Sequence, residues 1–503
     1  MKAFTEPLLS LAGFEEMTKT AEKSSGLISV TGCIDAQKSQ MIYAFGGHRK
    51  NKLIVTFGEQ KAKELYDEYS FFDKEVVYYP SKDVLFYQSD IRGNLLTAER
   101  IRALKAIREQ ERVTLVTTFD ALMNTMAPIE KMWENVLTLE QGQLLDLKEI
   151  QAALIRMGYE KEYQVQTMGQ FSVRGGILDV FPLTEENPIR IELWGDEIDT
   201  IRYFDCESQK SIENIDRVSI YPAAELVLSD EEKAGGIDKL KAEAKRVSDK
   251  LRKQMKTEEA HRVTVMADEL TEEWGELSMY AGMDAFLSYF FDERVGILDY
   301  FNPSDSLIFF DELTRCTEQG KLTETEFSES MKQRLAMGYI LPGQMNGLFT
   351  EKEIVAKLGK YSCIALAALD NKANGLHQLG SYGIHCQSVS PYNNSFELLI
   401  KDLKRYKKNG YRVILLSGSR TRAKRLSEDI TDQGITCFYT ENYDHELFEG
   451  QIMVCYGKVR RGFEYPILKF AVITESDIFG AQQKKKKRHR TYEGEKIQSF
   501  TDL

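Results

Sequence analysis

Residues Gly32-Cys33-Ile34-Asp35-Ala36-Gln37-Lys38-Ser39 have the spacing of a phosphate-binding loop, G-x-x-x-x-G-K-[ST]. In that pattern backbone N–H groups wrap the phosphates, the Lys reaches the β- and γ-phosphates, and the hydroxyl holds Mg²⁺. Here Gln37 stands where the second Gly belongs. A side chain at that point resists the backbone conformation that turns successive amides inward. A second acidic element, Leu307-Ile308-Phe309-Phe310-Asp311-Glu312, is an apolar strand ending in two carboxylates. In an active nucleotide site a D-E-x-H sequence supplies the acids that position Mg²⁺ and water; here Thr314 holds the His position. Gly32, Lys38, Ser39, Asp311 and Glu312 therefore read as a vestigial nucleotide site with no catalytic residue. In this reading Lys38 is a surface lysine. Asp311 and Glu312 either cap their strand or keep a residual metal role.

The elements around the loop fit a parallel α/β sheet. Leu27-Ile28-Ser29-Val30 predicts a strand before the loop and Gln40 to Phe45 a helix after it. Leu53 to Phe57, Val76 to Tyr79 and Val113 to Thr118 predict further strands, and Thr97 caps a helix that places Ile101, Leu104 and Ile107 on one face. Strands alternating with helices argue for a parallel sheet.

From about Val136 the pattern changes. A helix from Leu147 to Met157, ended by Gly158, precedes four hairpin-punctuated strands: Phe171–Val173, Ile177–Phe181, Ile189–Leu193 and Thr200–Phe204. Along Ile189 to Trp194 the period of two puts Ile189, Ile191 and Leu193 on one face and Arg190, Glu192 and Trp194 on the other. An Arg and a Trp on an outer face are residue types enriched at binding hot spots. The alternatives are a Trp194 tucked beneath a helix and an Arg174 that holds the Gly175-Gly176 turn through backbone carbonyls. A charged helical stretch, Glu231 to Arg262, follows. From about Ser388 a further α/β unit begins, its first helix capped by Asn394 or Ser395 and ended by Gly410.

Composition bounds the function. The 503 residues give room for about three domains. Seven scattered cysteines, never in C-x-x-C spacing, read as reduced cytosolic thiols rather than a disulfide framework, and with the six histidines they offer no metal site. No apolar run approaches the ~20 residues of a membrane span, and no secretory signal is visible. The net charge of −12 argues against a broad duplex-DNA grip and favours protein partners. The run Lys484 to Arg490, Lys-Lys-Lys-Lys-Arg-His-Arg, is either a solvated linker or a contact for nucleic-acid phosphates.

The stretch Gly169 to Pro182, with Ile189 to Asp199 and Phe204-Asp205, resembles UvrB. It resembles still more the UvrB-homologous amino-terminal region of the bacterial transcription-repair coupling factors (Mfd). The resemblance extends to Ile473–Gly480, similar to the end of that family's third domain. UvrB keeps an intact phosphate loop and a long Tyr-rich hairpin, for which the roughly 20 residues between Pro80 and Arg100 leave no room.

The resemblance implies an α/β multidomain fold: a degenerate P-loop (helicase-like) domain over 1–135, an inserted α+β UvrA-interaction domain over 136–222, a return to the first domain over 223–375, a separate small α/β domain over 376–480, and a basic linker over 481–503. The chain then reads as truncated near the start of the RNA-polymerase-interacting domain. The resemblance further implies a cytoplasmic, UvrA-recruiting adaptor in transcription-coupled nucleotide-excision repair. Arg174, Arg190 and Trp194 fall at the UvrA-contacting positions; the family often carries Phe at the last. ATP and Mg²⁺, duplex DNA and RNA polymerase belong to other modules of the complete family member, an ATP-driven DNA translocase. This chain is expected to need no cofactor and to hydrolyse no ATP. The alternatives are a UvrB-like damage-verifying ATPase and a scaffold that binds nothing.

Overall fold

A computed structural model describes residues 1–46, 49–82, 94–276, 282–369 and 375–480. Residues 83–93, within the short stretch between Pro80 and Arg100, and the Lys484 to Arg490 run lie outside the described residues. The chain divides into two compact units, Met1–Cys386 and Gln387–Leu503.

After a leading helix, Phe14–Lys23, the first unit lays down β1 (Gly26–Thr31), β2 (Asn51–Thr56), β3 (Val76–Tyr79) and β4 (Val113–Thr118). Helices Asp35–Gly46, Glu59–Tyr69 and Asn94–Glu109 alternate with them, since parallel neighbours can be joined only by a crossover. The helix after β1 starts at Asp35, earlier than expected, and takes Gln37-Lys38-Ser39 into its first turns. Thr97 lies inside its helix instead of capping it, because that helix already runs from Asn94.

Two antiparallel strands, β5 (Leu137–Glu140) and β12 (Arg217–Ile220), form the neck of an insertion, with Leu139 opposite Val218. Between them lie β6 (Glu160–Lys161), β7 (Gln170–Arg174), β8 (Ile177–Val180), β9 (Ile189–Trp194), β10 (Glu197–Phe204) and β11 (Ser211–Ile215). They make one sheet in the order β11-β10-β9-β8-β7-β6. Asp146 caps the helix Leu147–Arg156 by accepting from Lys148 and Glu149 N–H. Ile150 and Leu154 of that helix join Phe171, Leu178, Val180, Ile189, Ile191, Ile198 and Ile201 in one core. Each such side chain, fully buried, stabilises the domain by about 1.5–3 kcal/mol. The helix covers one sheet face, and the other is largely polar, with Asp179, Arg190 and Glu192 as well as Phe204 and Trp194.

The charged stretch forms two helices, Asp230–Lys253 and Thr257–Glu276, packed on each other. The first carries a capping box between Ser229 and Glu232. Trp274, fully buried, packs edge-on to Phe286 at 5.0 Å. The chain then returns to the first sheet through β13 (Ser306–Asp311), β14 (Ser362–Leu366) and β15 (Gln378–Gly383), completing seven parallel strands in the order β15-β1-β14-β13-β2-β4-β3. Because β15 hydrogen-bonds alongside β1, residues from 376 to 386 stay with the first unit. The boundary lies near 387, later than the expected 376.

In the second unit β16 (Gln387–Ser388), β17 (Arg412–Ser417), β18 (Phe438–Tyr439), β19 (Ile452–Tyr456), β20 (Phe463–Tyr465) and β21 (Phe470–Thr474) form a sheet ordered β16-β20-β21-β17-β19-β18. Ser395, not Asn394, caps the helix Phe396–Lys408 by accepting from Leu398 N–H. Leu399, Ile400, Leu403 and Tyr406 face the core, and Gly410 follows at a φ of 76°. Among the described residues no helix is long and apolar enough to cross a membrane.

Candidate functional site

The loop between β1 and its helix begins at Gly32, whose φ of 77° suits glycine; a Cβ there would lie 2.0 Å from the Ile384 carbonyl oxygen. Lys38 is not a surface residue: its side chain is 1% exposed. Its Nζ donates to Asp311 Oδ1 at 2.5 Å, Glu312 Oε1 at 2.9 Å and Asp35 Oδ1 at 3.2 Å. An ammonium has three N–H donors, so three carboxylates use them all. Burial works against the charge, but the Asp311 carboxylate outweighs it and holds the Lys38 pKa above the ordinary lysine value. The expectation of exposure failed because the acids that end β13 lie against the helix after β1, a proximity across 273 residues of sequence. Asp311 also accepts from Thr56 Oγ1 at 3.0 Å, and Glu312, at a φ of 61°, accepts from Ala368 N–H. Gln37 is buried with neither amide atom partnered, and the Ser39 hydroxyl is likewise without a partner.

In the inserted sheet, Arg174, Arg190 and Trp194 share the face away from the helix. Arg190 lies directly opposite Asp179 in the β8–β9 register. Its Nε and Nη2 donate to the two Asp179 oxygens at 2.7 and 2.8 Å, and Nη2 also donates to Gln209 Oε1 at 2.8 Å. The guanidinium stacks over the Phe204 ring at 4.4 Å. The Asp179 hydrogen bonds raise the Arg190 pKa. Arg174 Nη2 reaches the same carboxylate at 3.0 Å. Arg174 thus spends its bond on Asp179 and not on backbone carbonyls of its turn. Beside them Arg202 pairs with Glu192, whose pKa is lowered by that bond.

Two hairpins end on the same side of the sheet, one turning at Gly175-Gly176 and one at Gly195-Asp196. Gly175 and Gly195 take φ of 59° and 65°, the left-handed values such two-residue turns need. Arg174 and Trp194 flank these turns. Trp194 is 84% exposed, so no helix covers it. It stands at the rim of an open groove edged by Glu140, Glu197, Asp199, Asp216 and Arg217.

Two participants escaped the sequence reading. Asp179 looks like one acid in an apolar strand; only the strand register pairs it with Arg190. Tyr163, 83% exposed and 6.0 Å from the Arg174 guanidinium, is a second bare aromatic on this domain. It sits in an irregular segment where periodicity gives no signal.

Among the described residues no group of three or more His, Cys, Asp or Glu side chains is placed to hold a metal ion. The polar sheet face can offer a partner a cationic pair braced by one carboxylate, with an aromatic anchor at its end.

Residues 137–226 match the UvrB interaction domain, which defines the class: a multidomain α/β protein that carries this domain as an insertion beside a large parallel sheet. Over nearly its whole length the chain is similar to transcription-repair-coupling factors. It is 27% identical to that of Bacillus subtilis (strain 168) over 453 residues, 90% of this chain and 38% of the relative. It is 27% identical to that of Staphylococcus haemolyticus over 488 residues, 95% of this chain and 40% of the relative. For Staphylococcus aureus (strain MRSA252) the figures are 26% over 505 residues, 97% and 41%. The similarity falls on the amino-terminal region of those proteins, and the chain spans about two-fifths of their length.

Proposed function

We propose that this chain is the UvrA-recruiting adaptor region of a transcription-repair coupling factor, acting in transcription-coupled nucleotide-excision repair. The observation that carries the reading is Trp194, bare on the same sheet face as the Arg174–Asp179–Arg190 cluster, in the domain that matches the UvrB interaction domain. An exposed aromatic on a face that also carries arginines has the composition of an interface hot spot. A Trp on solvent with no partner leaves a large apolar surface uncovered. The arginines of that face are already held by Asp179, so little of their side-chain entropy is lost on binding.

In this reading Gly32, Lys38, Ser39, Asp311 and Glu312 are the remains of a nucleotide site. Lys38 is committed to three carboxylates, leaving no donor for a phosphate, and those acids have a cation in place of Mg²⁺. The chain on this account turns over no ATP. ATP-driven movement on DNA and contact with RNA polymerase are proposed for the complete protein, through other modules. A cytoplasmic location fits seven cysteines that are all free thiols.

The test is co-elution of purified UvrA with this chain on size exclusion, with ATP turnover assayed in parallel. Co-elution without turnover supports the adaptor. Turnover that Lys38→Ala abolishes contradicts it.

A further inference from the structure

The second unit carries a charge arrangement that the UvrA reading does not use. Residues 387–480 hold 14 Lys and Arg against 12 Asp and Glu, a net of +2 in a chain whose total is −12. The cations are not spread evenly. The helix Arg420–Asp432 has Arg420, Arg422, Lys424 and Arg425 in its first half, all exposed, and Glu428, Asp429 and Asp432 in its second. That order opposes the helix dipole, which favours acids at the amino end and bases at the carboxyl end. The helix Phe396–Lys408 of the same sheet follows the favourable order, with Glu397 first and Arg405, Lys407 and Lys408 last.

A second cationic segment joins the first by topology. β17, β19 and β21 are parallel, so their carboxyl ends share one edge. The loop from Gly457 to Gly462 crosses that edge from β19 to β20. Gly457 N–H donates to Ser417 O, Ser476 Oγ donates to Arg460 O, and Gly462 N–H donates to Asp477 Oδ2. The loop carries exposed Lys458, Arg460 and Arg461 on the same edge of the sheet from which the helix starts. Among open α/β sheets this edge, where connections leave in opposite directions, is where ligands bind.

The acids at the start of the helix are occupied, and Glu428, Asp429 and Asp432 lie on its second half. Glu475 accepts from Gly418 N–H, Ser417 Oγ and Arg422 Nη1; burial raises its pKa, but these bonds prevail and lower it. Arg420 meets Glu441 at 3.2 Å. Among the described residues Lys424, Arg425 and Lys458 make no ion pair.

We propose that this edge of the second unit is a contact surface for the phosphate backbone of duplex DNA. Phosphates are held by Arg and Lys together with Ser and Thr hydroxyls and backbone N–H groups. Thr421 and Ser476 stand among these cations. None of the exposed large apolar or aromatic side chains belongs to the helix Arg420–Asp432 or to the 457–462 loop. Protein partners dock on such anchors and single strands stack on exposed aromatics. A cationic helix start and loop without them fit a duplex, bound through its charge and without sequence preference.

The test is anisotropy of a labelled duplex of about 30 base pairs, at about 50 mM salt, with the full chain. One variant combines Arg420→Gln, Lys424→Gln, Arg425→Gln, Lys458→Gln and Arg461→Gln; Arg422, which holds Glu475, is kept. A second variant replaces the Lys484 to Arg490 cations by Gln. The edge variant should bind at least about tenfold more weakly, with a shallower dependence on salt concentration. Its thermal midpoint should hold or rise, because cations that oppose the helix dipole have gone. Three results overturn the proposal: no binding by the wild type, binding lost only in the tail variant, or polyglutamate bound as tightly as DNA, which makes the edge a surface for an acidic protein.

Discussion

Asp179 and Arg190 are paired twice, as direct neighbours across β8 and β9 and as a two-bond ion pair, with Arg174 closing on the same carboxylate from β7. Asp179 is buried while Trp194, on the same face, stands in solvent. The arginines are thus part of the domain's own fabric, whereas the Trp is not. Replacing each separates stability from binding.

Arg190→Ala should lower the stability of the inserted domain by about 1–3 kcal/mol, since it strands a buried carboxylate with Arg174 as its one remaining cation. Arg190→Lys should recover little, because an ammonium cannot make the paired bonds. Trp194→Ala should leave the thermal midpoint where it was, within the roughly 0.5 kcal/mol expected of surface changes. Urea unfolding followed by circular dichroism reads all three.

The Lys38 cluster predicts a larger effect. Lys38→Met leaves Asp311 buried beside Glu312 without its cation and should cost about 3–5 kcal/mol. Adding Asp311→Leu should restore at least half of that loss, as replacing a whole buried pair is far milder than breaking it. Denaturant midpoints of the two variants decide it; equal losses would mean that the pair is not coupled.

Gln37 points the other way. Its amide is buried without partners, which costs about 1–3 kcal/mol. Gln37→Met, of similar length and apolar, should raise the unfolding midpoint. Gln37→Gly restores the G-x-x-x-x-G-K-[ST] spacing but should not restore nucleotide binding, because Lys38 stays committed; fluorescent-nucleotide titration checks this.

Stability at low pH should depend on Glu225, just beyond the neck of the insertion. It accepts from Arg100 Nε at 2.6 Å and Nη2 at 3.1 Å, and Lys82 Nζ lies 3.1 Å away. Burial raises its pKa, but the Arg100 charge prevails and brings it from 4.5 to about 2. A folded-state pKa below the unfolded one gives stability that is full above the unfolded value. It is lost as pH falls from about 4.5 towards about 2, on the order of 3 kcal/mol in all. Thermal midpoints of wild type and Glu225→Gln should therefore converge across that window. A constant gap would rule out the linkage.

Much of the fold was legible because its signals are local: apolar runs for the parallel strands, a period of two in Ile189–Trp194, and glycines at the turns. Strand parity put Trp194 on the outer face but left open a helix above it, which its exposure in the structure rules out. What stayed hidden depends on distant partners. Lys38 reads as a surface residue until β13 brings Asp311 beside it, and Asp179 reads as an isolated acid until the hairpin register sets it against Arg190. Strand β15 was missed because Gln378–Gly383 is largely polar and glycine-rich; it is a strand through its bonds to β1.

The central claim is that Trp194 anchors UvrA. Calorimetric titration of purified UvrA into the wild type, Trp194→Ala and Tyr163→Ala tests it most directly. The account predicts binding by the wild type and a loss of at least about 2 kcal/mol, more than tenfold in affinity, for Trp194→Ala at unchanged stability. Undiminished affinity in Trp194→Ala would place the UvrA contact elsewhere and contradict the account.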